Sequence, residues 1–262
     1  MTAVTLFTKT TGASQSKLAE KYLQSALEGL TVNAEVAGVA GCGWIQVTLS
    51  GEDEKIALNY LSREVGLCPE RLENVKRFST VAGRMTALKD CEDKLTVDVG
   101  VFSPEIVHAT VPLQSLQVQL VDGRKVALRK IVELFGFSEN LPLFVKVLEV
   151  DCDERRVEAV LAEKQLVRYR MWTKSMLDRL TILGASRENV ESALERAESK
   201  RDVVAVESLG LFEQTVVCKL GTDAAGLIPR IGRALSYATF SVFSPRRILE
   251  FVGDYSFPLI SY

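Results

Sequence analysis

The sequence lacks several features that whole classes of protein require. No apolar run approaches the roughly 18 residues of a membrane-spanning helix, so we expect no membrane partner. The opening residues, MTAVTLFTKTTG, contain no basic stretch followed by a long apolar run, and we therefore expect no secretory signal and a cytoplasmic location. The 262 residues are 47% hydrophobic and 25% charged, which is enough apolar material for folded cores.

Histidine and cysteine are also scarce. His108 is the sole histidine, which excludes an HExxH zinc helix and a His-rich metal site, since both need at least two histidines. The cysteines are widely spaced and include no CxxC pair, so the sequence predicts no structural zinc site, no disulfide and a reducing compartment. They are Cys42, Cys68, Cys91, Cys152 and Cys218. We predict no catalytic residues, no metal and no cofactor.

Residues 1–75 are typical of an α+β unit. A strand at Val4–Thr8 precedes a helix with apolar residues at 3.6-residue spacing from Leu18 to Leu30. Two alternating strands and a second helix follow, ending at Gly66. The order β-α-β-β-α predicts a ferredoxin-like unit, whose last strand would be Val75–Thr80.

Residues 76–166 are dominated by short strand-like segments, as in a small β-barrel. One stretch, Leu128–Phe135, is predicted to be helical. The predicted strands are Phe78–Met85, Lys94–Val101, Val107–Val111, Leu116–Val121, Leu143–Val150 and Val157–Leu161.

Several of these strands carry a resemblance to a known family. Gly83-Arg84-Met85, the run Lys94–Phe102 and Leu143–Asp151 (LFVKVLEVD) resemble strands of an S1-type oligonucleotide-binding barrel. The family's G-L-V-H-I-S run is absent, and Ala109–Pro112 stands in its place. The resemblance implies an oligonucleotide-binding barrel that binds RNA.

Residues 167–262 are predicted to form a helical hairpin followed by a mixed α/β region. The hairpin helices would be Lys174–Leu183 and a second helix capped by Ser186. An alternative is that the segment from Val216 to Pro229 forms a second, degenerate half-barrel. The chain as a whole is thus predicted to be a multi-domain α+β protein with domains 1–75, 76–166 and 167–262.

The phrase LGLFEQTVVCKLGTDAAGLIPRIG, Leu209–Gly232, gives a second resemblance. It resembles an uncharacterised archaeal family known as a domain of unknown function, which implies an archaeal cytosolic origin and no established activity. The order of barrel, helices and α/β region also resembles the translation initiation factor 2 alpha subunit.

Candidate nucleic-acid-binding residues lie in the barrel. Phe102 is a candidate for stacking on a base, with Phe78 as a weaker one, and His108 lies beside them. Barrel aromatics also fill cores, which is the alternative for both rings. The candidate phosphate-binding group, expected beside Phe102 on one continuous face, is Arg124, Lys125, Arg129 and Lys130. Overall the chain has a net charge of −2, and residues 167–262 alone carry a net +2, from 13 basic and 11 acidic residues.

A glycine-rich stretch from Gly221 to Gly232 offers a second candidate site. Backbone N–H groups at a helix start, with basic residues nearby, suit a phosphate. No Gly-Lys-Ser/Thr follows, so the stretch is not a Walker loop. A turn with tight helix packing is the alternative. The candidate residues are Gly221, Thr222, Gly226, Arg230 and Arg233.

Three functions remain open at this point. The first is a non-enzymatic protein that binds RNA or a ribonucleoprotein, in translation or RNA processing. The second is a protein-interaction scaffold that uses open sheet edges. The third is an enzyme or sensor that binds a phosphorylated ligand at Gly221–Gly232.

Overall fold

A computed structural model describes residues 1–10, 12–86, 88 and 92–253, which form three β-sheets with flanking helices. The first sheet is antiparallel and has the order β1-β3-β2. Its strands are β1 (Thr2–Lys9), β2 (Val32–Ala40) and β3 (Trp44–Gly51). The helices α1 (Ala13–Ala26) and α2 (Glu54–Glu64) bury their apolar residues against it.

A ferredoxin-like unit is not confirmed for this first region. The predicted fourth strand, Val75–Thr80, is not part of the first sheet, because residues Leu72–Asn74 form a 3₁₀ turn and the next long strand joins the barrel. The core under the sheet is completed from elsewhere: Phe212, far along the chain, is buried among Leu6, Leu23 and the other core residues. The first sheet therefore shares its core with the C-terminal region.

The second sheet closes into a five-stranded barrel. The pairing runs β5-β6-β7-β9-β8 and returns to β5, with β7 and β9 parallel and the other pairs antiparallel. A two-residue strand, β4 (Glu70–Arg71), is added beside β6. The barrel strands are β5 (Thr80–Met85), β6 (Lys94–Ser103), β7 (Val107–Pro112), β8 (Pro142–Asp151) and β9 (Arg156–Leu161).

Two helices, α3 (Leu113–Val121) and α4 (Leu128–Phe135), connect β7 to β8. The helix at Leu128–Phe135 is confirmed, whereas the predicted strand Leu116–Val121 is wrong. Its letters, LQVQLV, alternate like a strand. However, Leu116 and Leu120 are also one helical turn apart, and both are fully buried in the barrel core.

The third sheet is antiparallel, with the order β11-β12-β10-β13. It neither contains the predicted helical hairpin nor forms a half-barrel. Arg179–Leu183, predicted as the end of a helix, is the strand β10, and all five of its residues are buried between β12 and β13. The elements are α5 (Glu163–Lys174), β10 (Arg179–Leu183), α6 (Arg187–Arg196), β11 (Val203–Ser208), β12 (Glu213–Cys218), α7 (Ala224–Ile231), β13 (Thr239–Phe243) and α8 (Pro245–Val252).

An aromatic cluster joins the barrel to the third sheet. Trp172 and Tyr169 on α5 contact Phe243 of β13, with ring centroids 5.2 Å and 5.9 Å apart. Phe135 of α4 completes the cluster. These rings make the barrel core continuous with the third sheet.

None of the helices among the described residues combines the length and hydrophobicity needed to cross a bilayer. Cys42, Cys68, Cys152 and Cys218 are free thiols, and Cys91 lies outside the described residues.

Candidate nucleic-acid interface

Phe102, the predicted stacking residue, lies at a joint between the barrel and the first sheet. Its half-buried ring packs against the cluster formed by Phe7, Trp44 and Cys68. The turn between β2 and β3 presses on the same ring, since a Cβ added at Gly41 would lie 2.7 Å from the Phe102 Cβ. The ring is therefore largely occupied by contacts within the protein.

His108 lies on the same outer face of β6 and β7. It is paired across the ladder with Asp98, whose carboxylate is 4.0 Å from the His108 Nδ1. That carboxylate is only 1% exposed and forms an ion pair of 2.7 Å with Lys9 of β1. Burial lowers the pKa of His108, and Lys9 lowers it further, while Asp98 raises it. The first sheet thus covers this part of the β6–β7 face and neutralises its carboxylate.

The predicted basic group lies elsewhere. The Arg124 guanidinium donates to the backbone oxygens of Phe251 and Val252, at 2.6 and 2.7 Å, and so caps the end of α8. Lys130 forms an ion pair with Glu133, while Lys125 and Arg129 are exposed. Arg124 thus contacts the end of α8 whereas Phe102 contacts the first sheet, and these contacts give no support to one continuous face of this group and Phe102.

The Gly221–Gly232 stretch has the geometry of a self-capped helix. Asp223 precedes α7, and its side chain accepts a hydrogen bond of 3.0 Å from the Ala225 N–H. Arg230 forms an ion pair of 2.7 Å with Asp202. Gly221 adopts a left-handed turn with φ +85°, and Gly226 lies within α7. Because a carboxylate already occupies the helix start, the arrangement favours the structural alternative over a phosphate site.

The other two candidates in this stretch are Thr222 and Arg233. They do not point hydrogen-bond donors toward a common position. The Thr222 N–H donates to the Lys219 carbonyl oxygen at 2.9 Å, which completes the turn before α7. Arg233 is exposed beyond the end of that helix. The two ends of the stretch therefore do not converge on one anion.

A cleft of about 1150 Å³ opens between the barrel and the helices of the first sheet. Its walls come from α1 and α2, from strands β5 and β8, and from the segment Ser208–Phe212. Six basic and two acidic side chains line it, so its lining is positive although the chain is not. The basic residues are Lys21, Arg63, Arg84, Lys164, Arg168 and Arg187, and the acidic residues are Glu64 and Glu188.

The barrel wall of the cleft presents an aromatic ring with two cations. Phe144 alternates with the buried residues Leu143 and Val145 on β8, so its side chain points out of the barrel. The Lys164 Nζ lies 3.2 Å from the ring centroid, and the Arg168 guanidinium lies 5.6 Å from it. These two residues are four apart on α5, which places both over the same ring.

Backbone contacts fix α5 relative to this ring. The Phe144 N–H donates to the Gln165 side-chain oxygen, and the Phe144 carbonyl accepts from the Ala162 N–H at 2.9 Å. Burial lowers the pKa of Lys164, and the nearby Arg168 lowers it further. Neither Lys164 nor Arg168 has a carboxylate partner within the described part of the chain. Their charges are therefore available to an anionic ligand.

Arg84, which lines the cleft, belongs to a buried ion pair. Arg84, 2% exposed, contacts the Glu213 carboxylate at 2.6 Å and also donates to the Phe7 and Asn140 carbonyls. Its contacts therefore reach the first sheet, the barrel and the third sheet. This pair orients the walls, and its charge is already neutralised by Glu213.

Sequence reasoning did not select Phe144 or Lys164. The alternation in LFVKVLEV was the signal that could have found Phe144, because it places Phe144 on the outer face and the buried valines on the inner face. The spacing of Lys164 and Arg168 directly after the last barrel strand was a second one.

Comparisons with solved structures give weak similarities. The chain aligns with the intact alpha subunit of aIF2 from Pyrococcus abyssi at 10% identity, covering 64% of this chain and 96% of that one, with a TM-score of 0.26. It aligns with a chain of the a/eIF2alpha-aDim2p-rRNA complex from Pyrococcus horikoshii OT3 at 10% identity, covering 49% and 70%, with a TM-score of 0.25.

A third similarity, at 12% identity, is to a protein named ttk003000868 from Thermus thermophilus, covering 97% of this chain and 43% of that one, with a TM-score of 0.15. TM-scores this low support no argument about fold or function. Among curated proteins, none matches the chain.

Family models give the clear result. The DUF2110 N-terminal domain matches residues 3–70, the DUF2110 central domain matches residues 75–173, and the DUF2110 C-terminal domain matches residues 177–243. Together the three matches follow one another along almost the whole chain. The chain therefore belongs to the DUF2110 family.

Proposed function

We propose that this protein binds single-stranded RNA, without catalysing a reaction, in the cleft between β8, α5 and the first sheet. The observation that carries the proposal is the Phe144 ring under Lys164 and Arg168 on a positively lined wall. Aromatic rings stack on bases of any sequence, and flanking cations bind the phosphates. Such a surface suits a flexible polyanion with flat bases.

The barrel topology supports the same proposal. A closed five-stranded barrel with the order β5-β6-β7-β9-β8 is the arrangement of oligonucleotide-binding barrels, and we take it to be S1-like. The contact surface we propose differs from the usual one, because the first sheet covers part of the β6–β7 face. The bound strand would contact β5 and β8 instead.

The wider context of the proposal follows from the sequence resemblances. We place the protein in the cytoplasm of an archaeal cell, in translation or RNA processing, with RNA or a ribonucleoprotein as partner. We also propose three domains with boundaries near residues 75 and 166. The three separate sheets support this division.

The test is binding of fluorescent single-stranded oligouridylate, measured by anisotropy over a range of salt concentrations. Phe144→Leu should weaken binding roughly 5- to 100-fold with an unchanged salt slope, since stacking contributes about 1 to 3 kcal/mol per base. Lys164→Ala and Arg168→Ala should each reduce the salt slope by about 0.7.

Lys125→Ala is the matched control, since it removes the same charge from an exposed residue outside the cleft. It should leave both affinity and slope unchanged. Thermal melts of each variant exclude unfolding as the cause. Absence of binding by the wild-type protein, or equal effects of Lys125→Ala and Lys164→Ala, would contradict the proposal.

A protein-binding scaffold is the second candidate function. β2 and β11 lie at open edges of their sheets, where an extended segment of a partner can pair with the unpaired backbone groups. Capture of a protein from native extract that survives nuclease treatment, and that is lost on inserting proline in β11, would favour it over RNA binding.

A further inference from the structure

A second aromatic ring lies on the same outer surface of the barrel. Phe78 lies two residues before β5 and is 61% exposed, although apolar rings of this size are usually covered. Its backbone has φ +64°, in the left-handed region that bulky side chains rarely adopt. A strained residue that displays an apolar ring to solvent is a feature typical of ligand contacts.

The chain holds Phe78 in this conformation through its backbone. The Phe78 N–H donates to the Val147 carbonyl at 2.8 Å, and the Val147 N–H donates to the Ser79 carbonyl at 2.9 Å. The Ser79 N–H closes the turn onto Lys76 at 3.1 Å. The backbone of Phe78 is thus held against β8 by hydrogen bonds that do not depend on the packing of the ring.

One face of the Phe78 ring is covered by a cation. The Arg77 guanidinium lies 4.6 Å from the ring centroid, and its Nε donates to the Leu148 carbonyl of β8 at 2.8 Å. The combination of an exposed ring and an adjacent anchored cation repeats the arrangement at Phe144. Both rings therefore have the chemistry that binds a base together with its phosphate.

Both rings lie outside the barrel core, since Phe144 points outward from β8 and the Phe78 ring is 61% exposed. Phe78 is hydrogen-bonded to Val147, which is three residues from Phe144 along β8, or about 10 Å at 3.3 Å per residue. Lys146 lies between them and alternates with the buried Val145 and Val147, so it points outward on the same surface. A single strand following β8 would pass Phe144, Lys146 and Phe78 in turn.

We infer that Phe78 forms a second stacking subsite for the RNA strand bound at Phe144, with Lys146 and Arg77 contacting the intervening phosphates. This inference rests on the proposed function and specifies its ligand. The ligand is an extended single strand of at least roughly four nucleotides, near the lower limit for oligonucleotide-binding barrels. Mononucleotides and very short oligomers would reach only one ring.

Phe78→Asn separates this role from folding. Asparagine tolerates the left-handed conformation better than phenylalanine, so the variant should have an unchanged or raised melting temperature. Its affinity for an oligouridylate of about eight nucleotides should fall roughly 5- to 100-fold. Its affinity for diuridylate, measured by competition, should be unchanged, whereas Phe144→Leu should weaken both. Phe78→Trp, which keeps a ring, should bind the longer strand like the wild type.

Three other outcomes would be decisive. If Phe78→Asn leaves binding of the longer strand unchanged while Phe144→Leu weakens it, the second subsite is wrong and the proposed function stands. If Phe78→Asn weakens diuridylate as much as the longer strand, Phe78 is not a length-dependent subsite. If wild-type protein binds neither RNA, the proposed function itself fails, and the subsite with it.

Discussion

The two outer faces of the barrel differ in whether another part of the chain covers them. On the β6–β7 face, the first sheet packs against Phe102 and pairs Lys9 with the buried Asp98. On the β5–β8 face, Phe144 and its two cations line an open cleft. Both faces consist of strands whose aromatic and charged side chains point outward. One face packs against another part of the chain, and the other is accessible.

This difference shows why an aromatic residue on a barrel strand does not identify a binding face by itself. A ring next to a cation has favourable contacts with a ligand or with another part of the chain. The covering elements decide which, and here they are β1, the β2–β3 turn and Cys68. The β6–β7 face should therefore contribute to stability and the β5–β8 face to binding.

Matched removal of one lysine from each face gives the largest expected effect. Lys9→Met leaves the Asp98 carboxylate buried without its cation, and losing one partner of a buried pair costs about 3 to 5 kcal/mol of unfolding free energy. Lys164→Met removes a cation with no carboxylate partner among the described residues, so it should change stability by no more than about 0.5 kcal/mol.

Urea denaturation of the two variants measures this difference. Lys9→Met combined with Asp98→Asn should recover part of the loss, because the unpaired charge is removed. Equal stability of the Lys9→Met and Lys164→Met proteins would remove the distinction between the two faces.

The β2–β3 turn provides the next test of the covered face. Gly41 has φ +48°, and a Cβ there would lie 2.7 Å from the Phe102 Cβ. Gly41→Ala should therefore lower the free energy of unfolding by about 1 to 3 kcal/mol, through backbone strain and overpacking. Gly123→Ala is a useful control for backbone strain alone, because it also has a positive φ but nothing lies within 4 Å of its added Cβ. A smaller loss for Gly41→Ala than for Gly123→Ala would argue against a tight joint at Phe102.

Much of the barrel was predictable from its sequence. Alternation along Lys94–Val101 and Leu143–Val150 predicted the strands β6 and β8, because period-2 burial is a local property. The strand β10 was missed because its short, fully buried run in the centre of a sheet has no alternation to distinguish it from a helix.

The site was less predictable than the strands. Strand alternation shows that Phe102 and Phe144 both point outward, but not which of them the first sheet covers. Arg84 and Glu213 are 129 residues apart in the sequence, so local patterns could not predict that they form an ion pair. Long-range packing is decided by the whole fold, which no local pattern encodes.

The smallest effect concerns protonation on the covered face. Burial lowers the pKa of His108 in the folded protein below its unfolded value of about 6.5, so folding favours the neutral ring. The neutral His108 ring makes its full contribution to the free energy of unfolding above about pH 6.5. This contribution falls as the pH drops below that value, because the unfolded chain then binds the proton more tightly than the folded protein does. His108→Gln should flatten this decline between pH 7.5 and the lower folded pKa. As His108 is the sole histidine, the difference in denaturant midpoint between the two proteins across that interval is assignable to one group. If the wild-type protein instead gains stability relative to His108→Gln as the pH falls, then Asp98 outweighs burial in setting the pKa of His108. The first sheet would then leave this face more open to solvent than the structure shows.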